Sequence, residues 1–144
     1  MTAEIDPGAG LRVALRANAA FSTLSAIGLV VFAGPLARFA ELPAWLVLAL
    51  GIGLAAFAVF VGLAARRRLL DPTQIRAITI ADLAWVAGAA LVIALPGTMT
   101  VGGKWLLAAI SSAVLILGLL EVAGLRRVAG EATVPVRADT ARSA

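Results

Sequence analysis

The chain has 144 residues, 62% of them apolar and 14% charged, whereas a soluble domain usually has about 45–50% and 25%. It contains no cysteine and no histidine, which excludes disulfides, thiol chemistry and histidine-based metal, haem or acid–base sites. The formal charge of +4 does not indicate nucleic acid as a partner, because the arginines flank apolar runs, where they mark membrane topology.

Four apolar runs follow one another along the chain, and each is long enough to cross a bilayer core of about 30 Å at about 1.5 Å per residue. The first run ends near Pro35, and the second, which has no charged residue, stops at three consecutive arginines. We predict membrane spans over residues 17–37, 44–65, 72–95 and 105–125.

The third span has a recognisable beginning. Asp71 is placed as the N-cap, Pro72 as the first helical residue and Gln74 at the position that completes a capping box. This helix is expected to stop at Pro96 and Gly97. We expect the fourth helix to begin near Trp105, after a flexible glycine-containing approach over residues 101–104.

The two ends of the chain lack the large apolar residues of the spans. We predict a flexible N-terminus over 1–10, a membrane domain over 11–128, and a disordered cytoplasmic tail over 129–144. A cleaved signal peptide is the competing interpretation of the first run. Glu4 and Asp6 in the leader, and the lack of a clean cleavage site, favour a retained helix.

Charge is distributed unevenly across the predicted membrane. Of the 12 basic residues, all but Arg38 and Lys104 lie on the same side. The positive-inside rule therefore predicts a multi-pass protein of the bacterial inner membrane with both termini and the middle loop in the cytoplasm. The anchors of this topology are the basic clusters Arg66, Arg67, Arg68, Arg126 and Arg127, for which binding of anionic lipid is a secondary interpretation.

The second half of the chain repeats landmarks of the first at an offset of 60 residues. Arg16 corresponds to Arg76, Trp45 to Trp105, and Gly28 to Gly88, as the numbers in the sequence show. We predict an all-α, integral membrane four-helix bundle built from two tandem helical hairpins. Small residues four apart are expected to form the helix contacts. These pairs are Ala49 with Gly53, Ala58 with Gly62, and Ala84 with Gly88.

Two acidic residues fall inside the predicted spans. Asp82 lies about 9 Å beyond Arg76 along the third helix, and Glu121 lies about 7–8 Å before Arg126 on the fourth. An ionisable group at this depth usually faces protein or water. The candidate polar cluster consists of Arg16, Asn18, Ser22, Asp82, Trp85 and Glu121.

Three arrangements of this cluster remain open. Asp82 pairs with Arg16, or it accepts hydrogen bonds from Asn18 or Ser22, or Asp82 and Glu121 share a proton. The cluster is then either a polar contact that fixes helix register, with Glu121 reaching water near Arg126 or Arg127, or a proton or cation site in a transporter.

Short polar landmarks also support a resemblance. The segment 15–22, LRANAAFS, and the later segment 82–86, DLAWV, resemble those of a set of uncharacterised small four-helix bacterial inner-membrane proteins. The resemblance covers roughly residues 11–128 and implies only an inner-membrane location. The chain does not resemble small multidrug resistance transporters, which carry a glutamate in the first span.

We therefore expect a non-enzymatic integral membrane protein that acts as an accessory subunit, with membrane lipids, a second copy or another membrane protein as partner and without cofactor or metal. The alternative is a small proton- or cation-coupled transporter or permease subunit that uses Asp82 and Glu121. An enzyme is disfavoured because the chain offers almost no nucleophile with an adjacent base.

Overall fold

A computed structural model describes residues 9–67 and 69–131, and these residues are entirely helical apart from short connections. The helices are α1 (Ala9–Val31), α2 (Ala33–Ala40), α3 (Ala44–Arg66), α4 (Pro72–Ala94) and α5 (Val101–Glu131). All except the short α2 are long and apolar enough to cross a membrane. The prediction of an all-helical chain with four candidate spans is therefore confirmed.

The bounds of the first span differ from the predicted 17–37. The helix begins at Ala9 and stops at Val31, and α2 then starts at Ala33. Pro35 explains this break, because proline has no N–H to donate and its ring clashes with the carbonyl four residues earlier, which here belongs to Val31. Pro35 therefore lies in the first turn of α2 instead of at the end of the span.

Helix α4 begins as the sequence predicts, although its capping box is incomplete. The Asp71 side chain accepts a hydrogen bond from the Thr73 N–H at 2.9 Å, with Pro72 in the first turn. The Gln74 Oε1 atom accepts no hydrogen bond from the part of the chain that the structure describes, so the reciprocal bond of the box to the Asp71 N–H is missing. At the other end, the Lys104 ammonium donates to the carbonyls of Ile93 and Leu95 at 2.8 and 2.7 Å, which satisfies the last turn of α4.

Helix α5 begins at Val101, four residues before the predicted start, and extends to Glu131 beyond the predicted end. The expectation of a flexible approach was wrong because Gly102 and Gly103 lie inside the helix and serve for close packing. A Cβ atom added to Gly102 would lie 2.7 Å from the Phe39 ring, and one added to Gly103 would lie 3.0 Å from the Ala40 Cβ.

The four long helices form a ring in the order α3, α1, α5, α4. Helix α1 packs closely on α3, and α4 packs on α5, while α1 also contacts α5. Helices α3 and α4 close the ring only weakly. Seven buried residues at one end of α1, α3 and α4 form the apolar core of this ring: Leu11, Leu15, Val61, Ala64, Ala65, Ile75 and Ile78.

The predicted small-residue faces agree only in part with the packing. Ala58 is buried, and a Cβ atom on Gly62 would lie 3.9 Å from the Ala19 Cβ, so this pair does face α1. The other two pairs were wrong as contacts within the chain. Among the described residues, no atom lies within 4 Å of a Cβ added to Gly53 or Gly88, and both glycines are exposed.

Some predictions fall outside the described residues. The predicted N-terminal segment is described only from Ala9 onward, where it is already helical, and the tail only as far as Glu131, within α5. Arg68 lies outside the described residues. The short helix α2 has no helical counterpart at the offset of 60, where residues 95–100 form the connection between α4 and α5.

Candidate functional site

The amide of Asn18 joins three helices in the interior of the bundle. Its Nδ2 atom donates to Asp82 Oδ2 at 2.6 Å and to Glu121 Oε1 at 2.9 Å. Asn18 comes from α1, Asp82 from α4 and Glu121 from α5, and all three side chains are buried, with exposed fractions of 1%, 5% and 0%. The two acids therefore converge on one hydrogen-bond donor.

Two hydroxyl groups extend this cluster. Ser22, one turn beyond Asn18 on α1, donates to Asn18 Oδ1 at 3.1 Å. Thr79 on α4 donates to Glu121 Oε2 at 3.2 Å. Both hydroxyl-bearing residues are buried. Thr79 was absent from the predicted cluster, although its position three residues before Asp82 on a helix places it on the same face.

No basic side chain of a described residue contacts either acid. Arg16, one of the three candidate partners of Asp82, is exposed, and no ion pair or hydrogen bond joins it to the described part of the cluster. Of the three arrangements, the hydrogen bond from Asn18 to Asp82 is the one observed, and Arg16 does not belong to the cluster. It lies two positions before Asn18, and residues two apart point away from one another on a helix. The four basic residues of the described anchors, Arg66, Arg67, Arg126 and Arg127, are also exposed.

The apolar core separates the cluster from the arginine-rich end of the bundle. Leu11, Leu15, Ile75 and Ile78 have exposed fractions of 0–1%, and they precede the cluster residues on α1 and α4. A Cβ atom on Gly124 would lie 3.0 Å from the Leu11 Cβ, so α1 and α5 are also tightly apposed there. Among the described residues, this tightly packed layer covers Asp82 and Glu121 from the arginine-rich end.

Asp82 forms part of the wall of a cavity on the opposite side of the cluster. This cavity has a volume of about 250 Å³, and residues of all four long helices line it. Ser22, Ser25 and Trp85 are the other lining residues with polar side-chain atoms, and the remaining lining is apolar. The second oxygen of Asp82, Oδ1, accepts no hydrogen bond from the described residues.

The mouth of this cavity lies between α3 and α4. The exposed residues that line it are Ala49, Leu50 and Gly53 on α3 and Ala81 on α4. These are the two neighbouring helices that pack most weakly. The mouth therefore lies on the side of the bundle, among the large apolar side chains of its outer surface.

A second cavity of about 360 Å³ adjoins the first and extends toward α2. The two share part of their lining, namely Ser25, Leu50, Leu54, Trp85 and Ile110. Trp85, predicted as part of the polar cluster, thus lies between the two cavities. Its indole Nε1 is buried without a hydrogen-bond partner among the described residues, and it forms no hydrogen bond with Asp82. Sequence reasoning did not reveal either cavity, because most of the residues in their walls are apolar and resemble those of any packed helix.

Comparison of this chain with protein-family models, curated proteins and solved structures finds no match. The function must therefore be argued from the site.

Proposed function

We propose that this chain is a non-enzymatic, multi-pass protein of the bacterial inner membrane that binds a lipid-soluble molecule in the cavity between its four long helices. The observation that carries this proposal is the position of the cavity mouth between α3 and α4. A molecule dissolved in the acyl chains can enter there without crossing water, and the largely apolar wall provides the contacts that retain it.

This proposal makes the protein a lipid-interacting accessory subunit rather than a purely structural one. Binding pockets for small molecules typically have volumes of about 300–1,000 Å³ and are lined mainly by apolar side chains with a few polar groups. The adjoining cavities of about 250 and 360 Å³ fit this description. The proposed orientation places the arginine-rich end, both termini and the loop between α3 and α4 in the cytoplasm.

Tryptophan fluorescence tests the proposal directly. The chain has three tryptophans, and replacing Trp45 and Trp105 by phenylalanine leaves Trp85 as the sole emitter, between the two cavities. In nanodiscs, added 1-bromododecane should quench this emission saturably if it occupies the cavity, whereas simple partition into the bilayer gives quenching that does not saturate.

Two glycines provide a matched pair of variants. Gly53 lines the cavity mouth and Gly88 lines no described cavity, and an added Cβ meets no atom within 4 Å at either position. Gly53→Leu should weaken the saturable quenching about tenfold, which corresponds to about 1.4 kcal/mol. Gly88→Leu should leave it unchanged. Quenching without saturation in the parent protein would contradict the proposal.

A second candidate function is a proton- or cation-coupled transporter that uses Asp82 and Glu121. The convergence of both acids on the Asn18 amide favours this candidate. Two negative charges side by side in a membrane interior are unstable without a proton or a cation. A transporter must carry out flux in addition to binding. In liposomes, a proton or cation gradient should drive a flux through the parent protein, and Asp82→Asn should abolish that flux.

A further inference from the structure

We infer that the ligand of the cavity is a small lipophilic cation, whose positive centre pairs with Asp82 while its apolar groups fill the surrounding space. This inference rests on the proposed function, because it names the chemical class of the molecule that the same cavity takes.

The charge of the site favours a cationic ligand. The buried cluster holds two acids, Asp82 and Glu121, and no described basic residue contacts them. Glu121 uses both oxygens within the cluster, Oε1 toward Asn18 and Oε2 toward Thr79. Asp82 uses only Oδ2 in this way, and it is the acid that lines the cavity. Its Oδ1 is therefore the atom available to a cationic ligand.

The burial of Asp82 also favours a cationic ligand. Its exposed fraction is 5%, so an ionised Asp82 has little solvent to stabilise its charge and gains strongly from a cation in contact with it. A neutral apolar ligand would leave Oδ1 unpaired, and an anionic one would be repelled. Charge complementarity at this wall therefore favours a ligand with a positive centre.

The aromatic residues of the same cavity add a third argument. Phe21, Phe57 and Trp85 line it together with Asp82. The faces of aromatic rings attract organic cations, and tryptophan does so most strongly. A ligand with its charge near Asp82 thus finds both an anionic partner and aromatic surroundings in a cavity otherwise built for apolar groups.

These features favour a small organic cation over a phospholipid headgroup. A zwitterionic headgroup carries a phosphate beside its ammonium group, and that phosphate would enter a site that already holds two acids. Headgroups also prefer the membrane interface, whereas Asp82 lies six residues, or about 9 Å, beyond Arg76 along α4. A cation with a delocalised or shielded charge reaches this depth at a lower cost.

The test uses two probes of the same shape, methyltriphenylphosphonium and its uncharged counterpart methyltriphenylsilane. Each competes with 1-bromododecane for the protein with Trp85 as sole tryptophan, in phosphatidylcholine nanodiscs, and recovery of Trp85 emission reports displacement. We expect the phosphonium to compete at least about tenfold better than the silane. Asp82→Asn should remove this preference and leave competition by the silane within about twofold.

The preference for the phosphonium over the silane is measured in the protein with Trp85 as sole tryptophan and with Asp82 intact. This measurement therefore tests the inference even if Asp82→Asn fails to fold. Equal competition by both probes, or better competition by the silane, overturns the cationic ligand but leaves the proposed cavity function standing. A preference that survives in folded Asp82→Asn also overturns it. Displacement of the phosphonium by added phosphatidylethanolamine would make a lipid headgroup the occupant and overturn it as well. If bromododecane never quenches saturably, the proposed function itself fails.

Discussion

At the scale of single residues, Asn18 is the group on which the buried cluster depends. An asparagine amide offers two N–H donors and one carbonyl acceptor. Here both donors go to acids, on α4 and α5, and the acceptor takes the Ser22 hydroxyl. One side chain therefore satisfies polar groups from three helices, so its removal should break hydrogen bonds on all three.

Asn18→Leu should lower the free energy of unfolding by about 2–4 kcal/mol, because it leaves one oxygen of Asp82 and one of Glu121 buried without a donor. Thr23→Val is the matched control. The Thr23 hydroxyl bonds only to the Ala19 carbonyl of its own helix and is exposed, so its loss should cost less than about 0.5 kcal/mol. Unfolding by sodium dodecyl sulfate in mixed micelles, followed by circular dichroism, measures both values. Equal losses in the two variants would contradict this role of Asn18.

Most of this cluster could be predicted from the sequence. Asn18, Ser22, Asp82 and Glu121 are polar residues at a comparable depth on apolar helices, and burial in a membrane requires that such groups find partners. The choice among partners could not be predicted. Arg16 lies at a suitable depth, but the rotation of α1 about its own axis points it outward, and that rotation depends on packing rather than on depth.

At the scale of helices, close approach is set by a few glycines. Gly51 in α3 faces α1, with a Cβ position 2.9 Å from a Val30 side-chain atom, and Gly103 in α5 faces α2. Gly124 in α5 faces α1 in the same way. The small-residue spacing of the sequence indicated Gly62 correctly, but it also pointed to Gly53, which lines the cavity mouth, and to Gly88, which is exposed. Many helix faces of this chain carry small residues, so spacing alone does not identify the packed ones.

Gly103→Ala and Gly88→Ala should therefore change stability in opposite directions. At Gly103 the new Cβ would lie 3.1 Å from the Ala40 Cα, so backbone must move, at a cost of about 1–3 kcal/mol. At Gly88 the methyl group meets no neighbour and only raises helix propensity, by up to about 1 kcal/mol. The same detergent titration measures both. If Gly88→Ala lowered the free energy of unfolding as much as Gly103→Ala, Gly88 would have to pack against another surface, such as that of a second copy.

At the scale of the whole molecule, hydropathy predicted the four spans, because each backbone crossing a bilayer must satisfy its hydrogen bonds within a helix of fixed length. Hydropathy could not predict that α3 and α4 pack weakly, because the extent of packing between each pair of helices depends on the shapes of all four apolar surfaces. The cavity and its lateral mouth result from the weak packing between α3 and α4. The proposed 60-residue repeat is consistent with the exposure of Trp45 and Trp105, at 70% and 74%, while α2 has no counterpart in the second half.

The charge asymmetry of the described residues leads to a prediction for the whole chain. Arg12 donates to the Arg67 carbonyl, which brings the beginning of α1 to the end of α3, and Arg76 and Arg126 lie at the corresponding ends of α4 and α5. The opposite end carries Arg38 and Lys104. The positive-inside rule then places the loop between α3 and α4 in the cytoplasm and the beginning of α5 outside.

The lack of cysteine allows a direct test of this orientation, because each introduced thiol is the only one in the chain. Leu69→Cys lies between α3 and α4 and Val101→Cys at the beginning of α5, and the native side chains are 87% and 74% exposed. In intact spheroplasts a membrane-impermeant maleimide should label Val101→Cys, and it should reach Leu69→Cys only after lysis. The reverse pattern would invert the topology. Labelling of both from outside would mean that α4 does not cross the membrane, and the cavity between the helices would then not face lipid.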